Sequence, residues 1–390
     1  MKQPISITAI ASVSPLGQEP GEIWARYLED KALLAFESYG KEKAWVAPLT
    51  PGARKAVDQL RGESAFYRSL DDSVLYALLA GRSAAERAGW KKGNDFGINV
   101  GSSRGATSLF EKYHAEFLQD GQSSTQASPA TTLGNISSWL AHDLQSQGPD
   151  ISHSITCSTA LHALLNGVAW LEAGMADKFL VGGSEASLTP FTLAQMRALK
   201  IYSTLGEAEP YPCRALDLDK KMNTMILGEA AAMACLEKGV RPNALALVSG
   251  IGYATEPLQH SVSLSTDAQC FQRSMKMAVS GIDPSQVDAI VMHAPGTRKG
   301  DMAEHSAISA VFGEHKPALT SNKWKVGHTF GASGMLSVEL AVLMLQHQHW
   351  IPVPFLQEKT GPGKLERILV NAVGFGGNAV SILLQRPGTP

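Results

Sequence analysis

The chain has 390 residues, 44% of them apolar and 18% charged, enough to bury a large core as one big or two medium domains. A formal net charge of −2 supplies no overall field for nucleic acid or an anionic membrane, so neither is an expected partner, although a local basic patch could still dock an acidic protein. No apolar run approaches the roughly 18 residues that a membrane span needs, and Cys157, Cys213, Cys235 and Cys270 form no CxxC or Cys/His pair at metal-ligand spacing, which points to a reduced cytosol and to no metal.

Ile5–Val13 reads as the first strand. Ser6, Thr8 and Ser12 interrupt its apolar run and Gly17 to Pro20 end it as a turn would, unlike a signal peptide, so a cytoplasmic protein is expected. Pro48–Arg54 reads as a surface loop. Helix Leu75–Ala88, strand Gly97–Gly101, a polar loop at Gln119–Ala127, helix Ala130–Ser146, strand Ser154–Thr156, helix Thr159–Ala173, strand Lys178–Val181 and helix Leu193–Ala198 follow. A loop at Thr204–Tyr211 and strand Ala230–Leu236 complete the first half, 1–241. The second, 242–390, repeats the rhythm more compactly: strand Ala246–Ile251, helix Asp267–Ser280, strand Val287–Met292, helix Asp301–Phe312, helix Ala332–His347 and the closing pair Ile368–Val373 and Ala379–Leu384. Strands alternating with longer helices predict an α/β protein with largely parallel sheets, and two halves of similar grammar predict a duplicated fold.

Ser154-Ile155-Thr156-Cys157 runs straight into an apolar helix, which sets a thiol at a helix N-terminus. Unpaired N–H groups and the macrodipole there favour an anion, so the expected effect is a lowered thiol pKa. Taken alone, the pattern fits a buried structural cysteine equally well. The apolar run Val287–Met292 ends in His293-Ala294-Pro295-Gly296-Thr297, placing a histidine at the C-terminal edge of a strand, where α/β proteins gather ligands. Lys323 precedes His328 by five residues in a stretch crowded with Gly327, Gly331 and Gly334 at a helix start, where backbone can approach a ligand closely.

These residues carry a specific resemblance. Cys157 between strand and helix, His293 in HAPGT, Lys323 to Gly334 as KxxxGHxxGAxG and Val373-Gly374-Phe375-Gly376-Gly377 resemble, in order and spacing over nearly the whole chain, the elongating β-ketoacyl-carrier-protein synthases. Gly182-Gly183-Ser184-Glu185, Pro190-Phe191, Arg197-Ala198-Leu199, and Asp301 with Glu304, add to it. The resemblance implies a thiolase-like fold, two duplicated αβ halves forming a five-layered αβαβα core, in a homodimer or a heterodimer with another ketosynthase-like subunit. It implies decarboxylative Claisen condensation of an acyl group held on Cys157 with a malonyl extender, both delivered by an acyl carrier protein and needing no further cofactor. His293 and His328 would stabilise the enolate, Lys323 organise the site with Glu304, Asp301 support it, and the backbone N–H groups of Cys157 and Phe375 form an oxyanion hole. Thr297, Val373 and Phe191 would contact substrate.

Neighbouring families fit less well. Thiolases carry a second catalytic cysteine near the C-terminus, and no cysteine follows Cys270; initiating synthases pair Cys and His with Asn, where this chain has His328. Departures from the pattern are Val373 for a phenylalanine where the acyl chain gains access, Pro295 where a threonine is usual, Asn378-Ala379 after the glycines, and a longer Asp217–Gly228 stretch. They point toward a polyene or polyketide-like product rather than housekeeping fatty-acid elongation. Two alternatives remain open: a non-condensing chain-length-factor-like subunit, and a malonyl-carrier-protein decarboxylase.

Overall fold

The computed structural model describes residues 3–40, 42–133, 135–257 and 264–389. The strands, in chain order, are β1 (Ile5–Val13), β2 (Ala35–Tyr39), β3 (Glu42–Ala47), β4 (Gly97–Gly101), β5 (Asp150–Ile151), β6 (Lys178–Glu185) and β7 (Leu227–Gly228). They continue as β8 (Ala230–Lys238), β9 (Ala246–Thr255), β10 (Ala289–Val291), β11 (Ala318–Thr320), β12 (Arg367–Gly374) and β13 (Asn378–Gln385).

Two five-stranded sheets are ordered β1-β8-β6-β4-β5 and β9-β13-β12-β10-β11. Along each, the first two pairings are antiparallel and the last two parallel. Position by position the sheets have one topology, which is the duplication that the rhythm of the sequence predicts. Helices Thr159–Ala173 and Ser333–His347, one from each half of the chain, share an apolar cluster with the inner faces of both sheets. Every residue of the second from Ser333 to Leu345 is buried, as befits a helix enclosed on all sides rather than an amphipathic one. Helix Asp72–Arg87 covers the outer face of the first sheet, and helices Gln269–Ala278 and Arg298–Phe312 that of the second, completing an αβαβα stack. No helix among the described residues is long and apolar enough to cross a membrane.

Several expectations are corrected. Ser154–Thr156 is no strand: the chain turns there, with Thr156 at φ +47°, and hydroxyls replace the ladder. Thr159 Oγ1 accepts from Ile155 N (2.9 Å) and donates to Thr156 O (2.6 Å), while Ser158 Oγ donates to Ile155 O (2.9 Å), the local competition that Ser and Thr offer to regular structure. Ala130–Ser146 is not one helix but Ala127–Thr131 and Asn135–Leu144, with Gly134 outside the described residues. Thr131 and Thr132 hydroxyls bond back to Ala127 O and Ser128 O at the break. The segment taken as a loop at Pro48–Arg54 starts a helix, Pro51–Glu63, with Thr50 Oγ1 capping Ala53 N at 3.1 Å; Thr-Pro signals a helix start as readily as a loop. The hairpin of β2 and β3 is an element that the periodicity did not show.

Candidate active site

Cys157 sits in a 3₁₀ turn, Thr156–Ser158, that leads directly into helix Thr159–Ala173. The positive φ of the preceding β-branched Thr156 is a strained conformation, held by the hydroxyl bonds just described and by a neighbouring loop. That loop is the end of β12: a Cβ at Gly374 would fall 2.0 Å from Thr156 Oγ1 and 2.7 Å from Ile155 O, so only glycine lets the strand abut the cysteine turn. Thr156 Oγ1 also bonds Phe375 O at 3.4 Å, fixing Phe375 beside the thiol.

Three carboxylates that receive backbone N–H groups hold the loops around this turn. Glu185, at the end of β6, accepts from Ser103 N (2.8 Å), Arg104 N (3.1 Å), Ser102 Oγ (3.0 Å) and Gly331 N (2.9 Å), tying the turn after β4 to the glycine stretch after His328. Glu304 accepts from His293 N (2.9 Å), Ala294 N (2.8 Å) and Asn371 Nδ2 (3.2 Å), which sets the backbone of His293. Asp301 accepts from Leu216 N (3.0 Å), Gly296 N (3.1 Å) and Lys220 Nζ (2.7 Å), the last a buried ion pair. The backbone of His328 is anchored across the two halves: its N–H donates to Ile226 O (2.6 Å) and its carbonyl accepts from Gly228 N (3.1 Å), extending the small sheet of β2, β3 and β7 by one bridge.

These supports bring Cys157, His293, His328, Thr297, Val373 and Phe375 around one cavity of about 440 Å³. The imidazoles stand perpendicular with centroids 5.3 Å apart. Thr297 is half-buried at the start of helix Arg298–Phe312, and its hydroxyl makes no cap bond there. Val373 is buried and shares an apolar cluster with Phe271, which lines the same cavity. Exposed Lys200, Arg298 and Lys299 rim it. Phe191 lies apart from the cavity lining: it is 57% exposed, because helix Pro190–Ala198 turns Leu193 and Met196 inward instead. Lys323 is buried at the start of the short helix Lys323–Val326.

Burial dominates the electrostatics. It pushes the Cys157 thiol up to about 12, with Glu185 adding to the rise and Lys323, the cysteine's own N–H and Arg104 opposing it. The lowered thiol pKa expected from the helix start is therefore corrected: desolvation outweighs it, and the resting sulfur is protonated. Burial, then the Lys323 charge, depresses His328 to about 3; burial, Lys323 and His328 hold His293 well below the usual imidazole range. Both rings are neutral at neutral pH and carry one N–H each. His328 Nδ1 is buried and has no partner among the described residues. Burial brings Lys323 down to about 8, against Glu304 and Cys157, and raises Glu185 and Glu304 to about 7.

Sequence patterning assigns no role to Asn223, which spans the cavity mouth by accepting from Arg298 N (2.9 Å) and donating to Lys200 O (2.8 Å), or to Met225 in the wall. Both lie in the lengthened Asp217–Gly228 stretch, the one signal that could have found them. Glu185 was legible only as part of its GGSE motif.

The family model of the β-ketoacyl synthase N-terminal domain matches residues 2–240, and that of the C-terminal domain residues 230–356. This chain belongs to the β-ketoacyl synthase family. A 3-oxoacyl-[acyl-carrier-protein] synthase 2 of Coxiella burnetii is 26% identical over 411 residues, 99% of either chain. A β-ketoacyl synthase of Burkholderia phymatum superposes with a TM-score of 0.85 at 22% identity, over 98% of this chain and 99% of the other. The ishigamide ketosynthase/chain length factor gives the same TM-score, 0.85, at 18% identity over 99% and 100%. Structural likeness of this kind establishes the thiolase-like fold for this ketosynthase relative.

Proposed function

We propose that this synthase condenses an acyl group held on Cys157 with a malonyl-acyl-carrier protein, releasing carbon dioxide and a β-ketoacyl-carrier protein. The observation that carries this is the meeting of one buried thiol with two neutral, perpendicular imidazoles in one cavity. In the first half-reaction the Cys157 sulfur attacks the carrier thioester, and its proton goes to the departing pantetheine sulfur; the N–H groups of Cys157 and Phe375 receive the tetrahedral oxyanion. In the second, the malonyl C–C bond breaks, and His293 and His328 each donate an N–H to the enolate oxygen. The carbanion attacks the acyl-enzyme carbonyl, and Cys157 leaves as thiolate and takes a proton from water to return to the thiol.

Charged His⁺ would bind malonate's carboxylate too well to lose it, so the depression of both imidazoles suits decarboxylation. Lys323 supplies the positive charge that steadies the departing thiolate, Glu304 and Asp301 hold the HAPGT loop, Thr297 bonds the pantetheine arm and Val373 leaves room beside it. No cofactor or metal enters these steps. The basic rim of Lys200, Arg298 and Lys299 fits an acidic carrier protein approaching the mouth. We place the enzyme in the cytosol, with halves at 1–241 and 242–390, as a homodimer or paired with a second ketosynthase-like chain. A polyene or polyketide-like product accords with Val373. The test is intact-mass spectrometry with acyl-carrier protein followed by malonyl-carrier protein: an acyl adduct on Cys157 and then a product two carbons longer are expected, and absence of the adduct overturns the proposal.

A further inference from the structure

Arg104 takes no part in the roles above and is absent from the cavity lining, yet it packs on Phe330, which belongs to that lining. The Arg104 backbone is held by Glu185, and its side chain turns toward the interior: Nη2 donates to Gln195 Oε1, and the guanidinium carbon lies 5.9 Å from the centroid of the Phe330 ring. Phe330 is itself a wall of the catalytic cavity, with its centroid 5.4 Å from that of His328. The charge of Arg104 is among those felt at Cys157. Its Nε–H is buried and has no partner among the described residues.

The apolar side chains buried in one cluster with Cys157 include Leu193, Met196, Met225 and Phe330. Gln195, the residue that orients the guanidinium, is carried on the same helix as Leu193 and Met196. A saturated acyl chain laid beside this group would leave the buried donor unpaired, whereas a chain with an oxygen atom in reach would pair it. Sites with a committed polar donor reject ligands that lack the matching acceptor far more strongly than apolar pockets reject a different chain length.

We propose that Arg104, oriented by Gln195, selects the acyl group that Cys157 receives, favouring chains that carry a keto, hydroxyl or carboxylate oxygen over saturated chains of equal length. This rests on the condensing function proposed above. It places the enzyme after a reaction that leaves oxygen on the acyl chain, and the wall near the thiol is where that oxygen is read.

The experiment uses the full chain and carrier protein loaded with hexanoyl, 3-hydroxyhexanoyl, 5-oxohexanoyl or adipoyl groups, following the rate of the Cys157 adduct by intact mass. Wild type is expected to take at least one oxygenated chain ~10-fold or more faster than hexanoyl, and Arg104→Met is expected to bring that ratio below about twofold, with Arg104→Lys between the two. A wild type that takes hexanoyl as fast as or faster than every oxygenated chain overturns the proposal whatever the variants do. A preference that survives in Arg104→Met also overturns it; should that variant not fold, Gln195→Leu is read in its place. A wild type acylated by none of the four, with Cys157 still alkylated by iodoacetamide, removes the condensing function itself.

Discussion

The two halves of the molecule contribute opposite chemistry under the same physical influence. The first half presents one thiol on a strained turn, stitched by Ser158 and Thr159 and bordered by Glu185; the second presents two imidazoles on loops held by Glu304, Asp301 and the bridge to β7. Burial acts on both. It makes the thiol reluctant to become an anion and the imidazoles reluctant to become cations, so the resting site keeps its reacting groups neutral around a single buried Lys323. In the proposed reaction those groups would become charged only transiently, facing donors already in place, which is the arrangement that makes electrostatic catalysis effective.

The comparison can be broken most severely from the first half. Cys157→Ala is expected to lower condensation by on the order of 10⁴-fold or more, since removal of a nucleophile disables the unit it works in; product assay by mass spectrometry reads this, and substantial remaining elongation would detach the thiol from the reaction. His293→Ala or His328→Ala is expected to cost on the order of 10²–10³-fold in carbon dioxide release from malonyl-carrier protein, while the Cys157 adduct still forms. Equal loss in both half-reactions would show that the halves do not divide the chemistry in this way.

Smaller effects sharpen it. Iodoacetamide alkylation of Cys157 should climb roughly tenfold per pH unit from 7 to 10 with no plateau near the usual thiol value, in line with a thiol pushed up to about 12. Glu185→Gln removes a neighbouring negative charge and should speed that alkylation at fixed pH; a plateau near 8.5 in the wild type would mean that the helix start prevails over burial. Glu304→Ala leaves the N–H groups of His293 and Ala294 without acceptors and is expected to cost about 2–4 kcal/mol, read as a shift in the urea midpoint.

The smallest effect is one of pH. Glu304 stands at about 7 in the folded protein against 4.5 for the free group. Between those values the folded chain binds more protons than the unfolded one, so this group's contribution to stability is complete below about 4.5 and is lost as pH rises through about 7. In Glu304→Gln the fall in stability across that window should be shallower than in wild type, measured as urea midpoints at pH 5, 6 and 7.

Much of the framework was legible in the linear chain because it rests on local, repeating signals. β1, β4 and helix Thr159–Ala173 have the bounds that periodicity predicts, and the central strands and inner helices differ from it by a few residues at their ends. The site was legible where chemistry-bearing residues stand next to glycines or strand ends, as at Cys157, His293, His328 and Phe375. It was not legible where hydroxyls override a β-branched run, as at Thr156, or where one segment spans another, as Asn223 does across the mouth. Phe191 shows the reverse error, a motif residue whose helix faces it outward.

By itself, the sequence determined the α/β alternation, the duplication and the order of Cys157, His293 and His328, because each depends on residue types at short spacing. Only the tertiary structure decided that the thiol is pushed up rather than down, that Asp301 pairs with Lys220, and that Arg104 keeps a buried Nε–H without a partner among the described residues. Those outcomes depend on burial and on partners brought together from distant parts of the chain, and no local pattern records how much water a folded interior excludes.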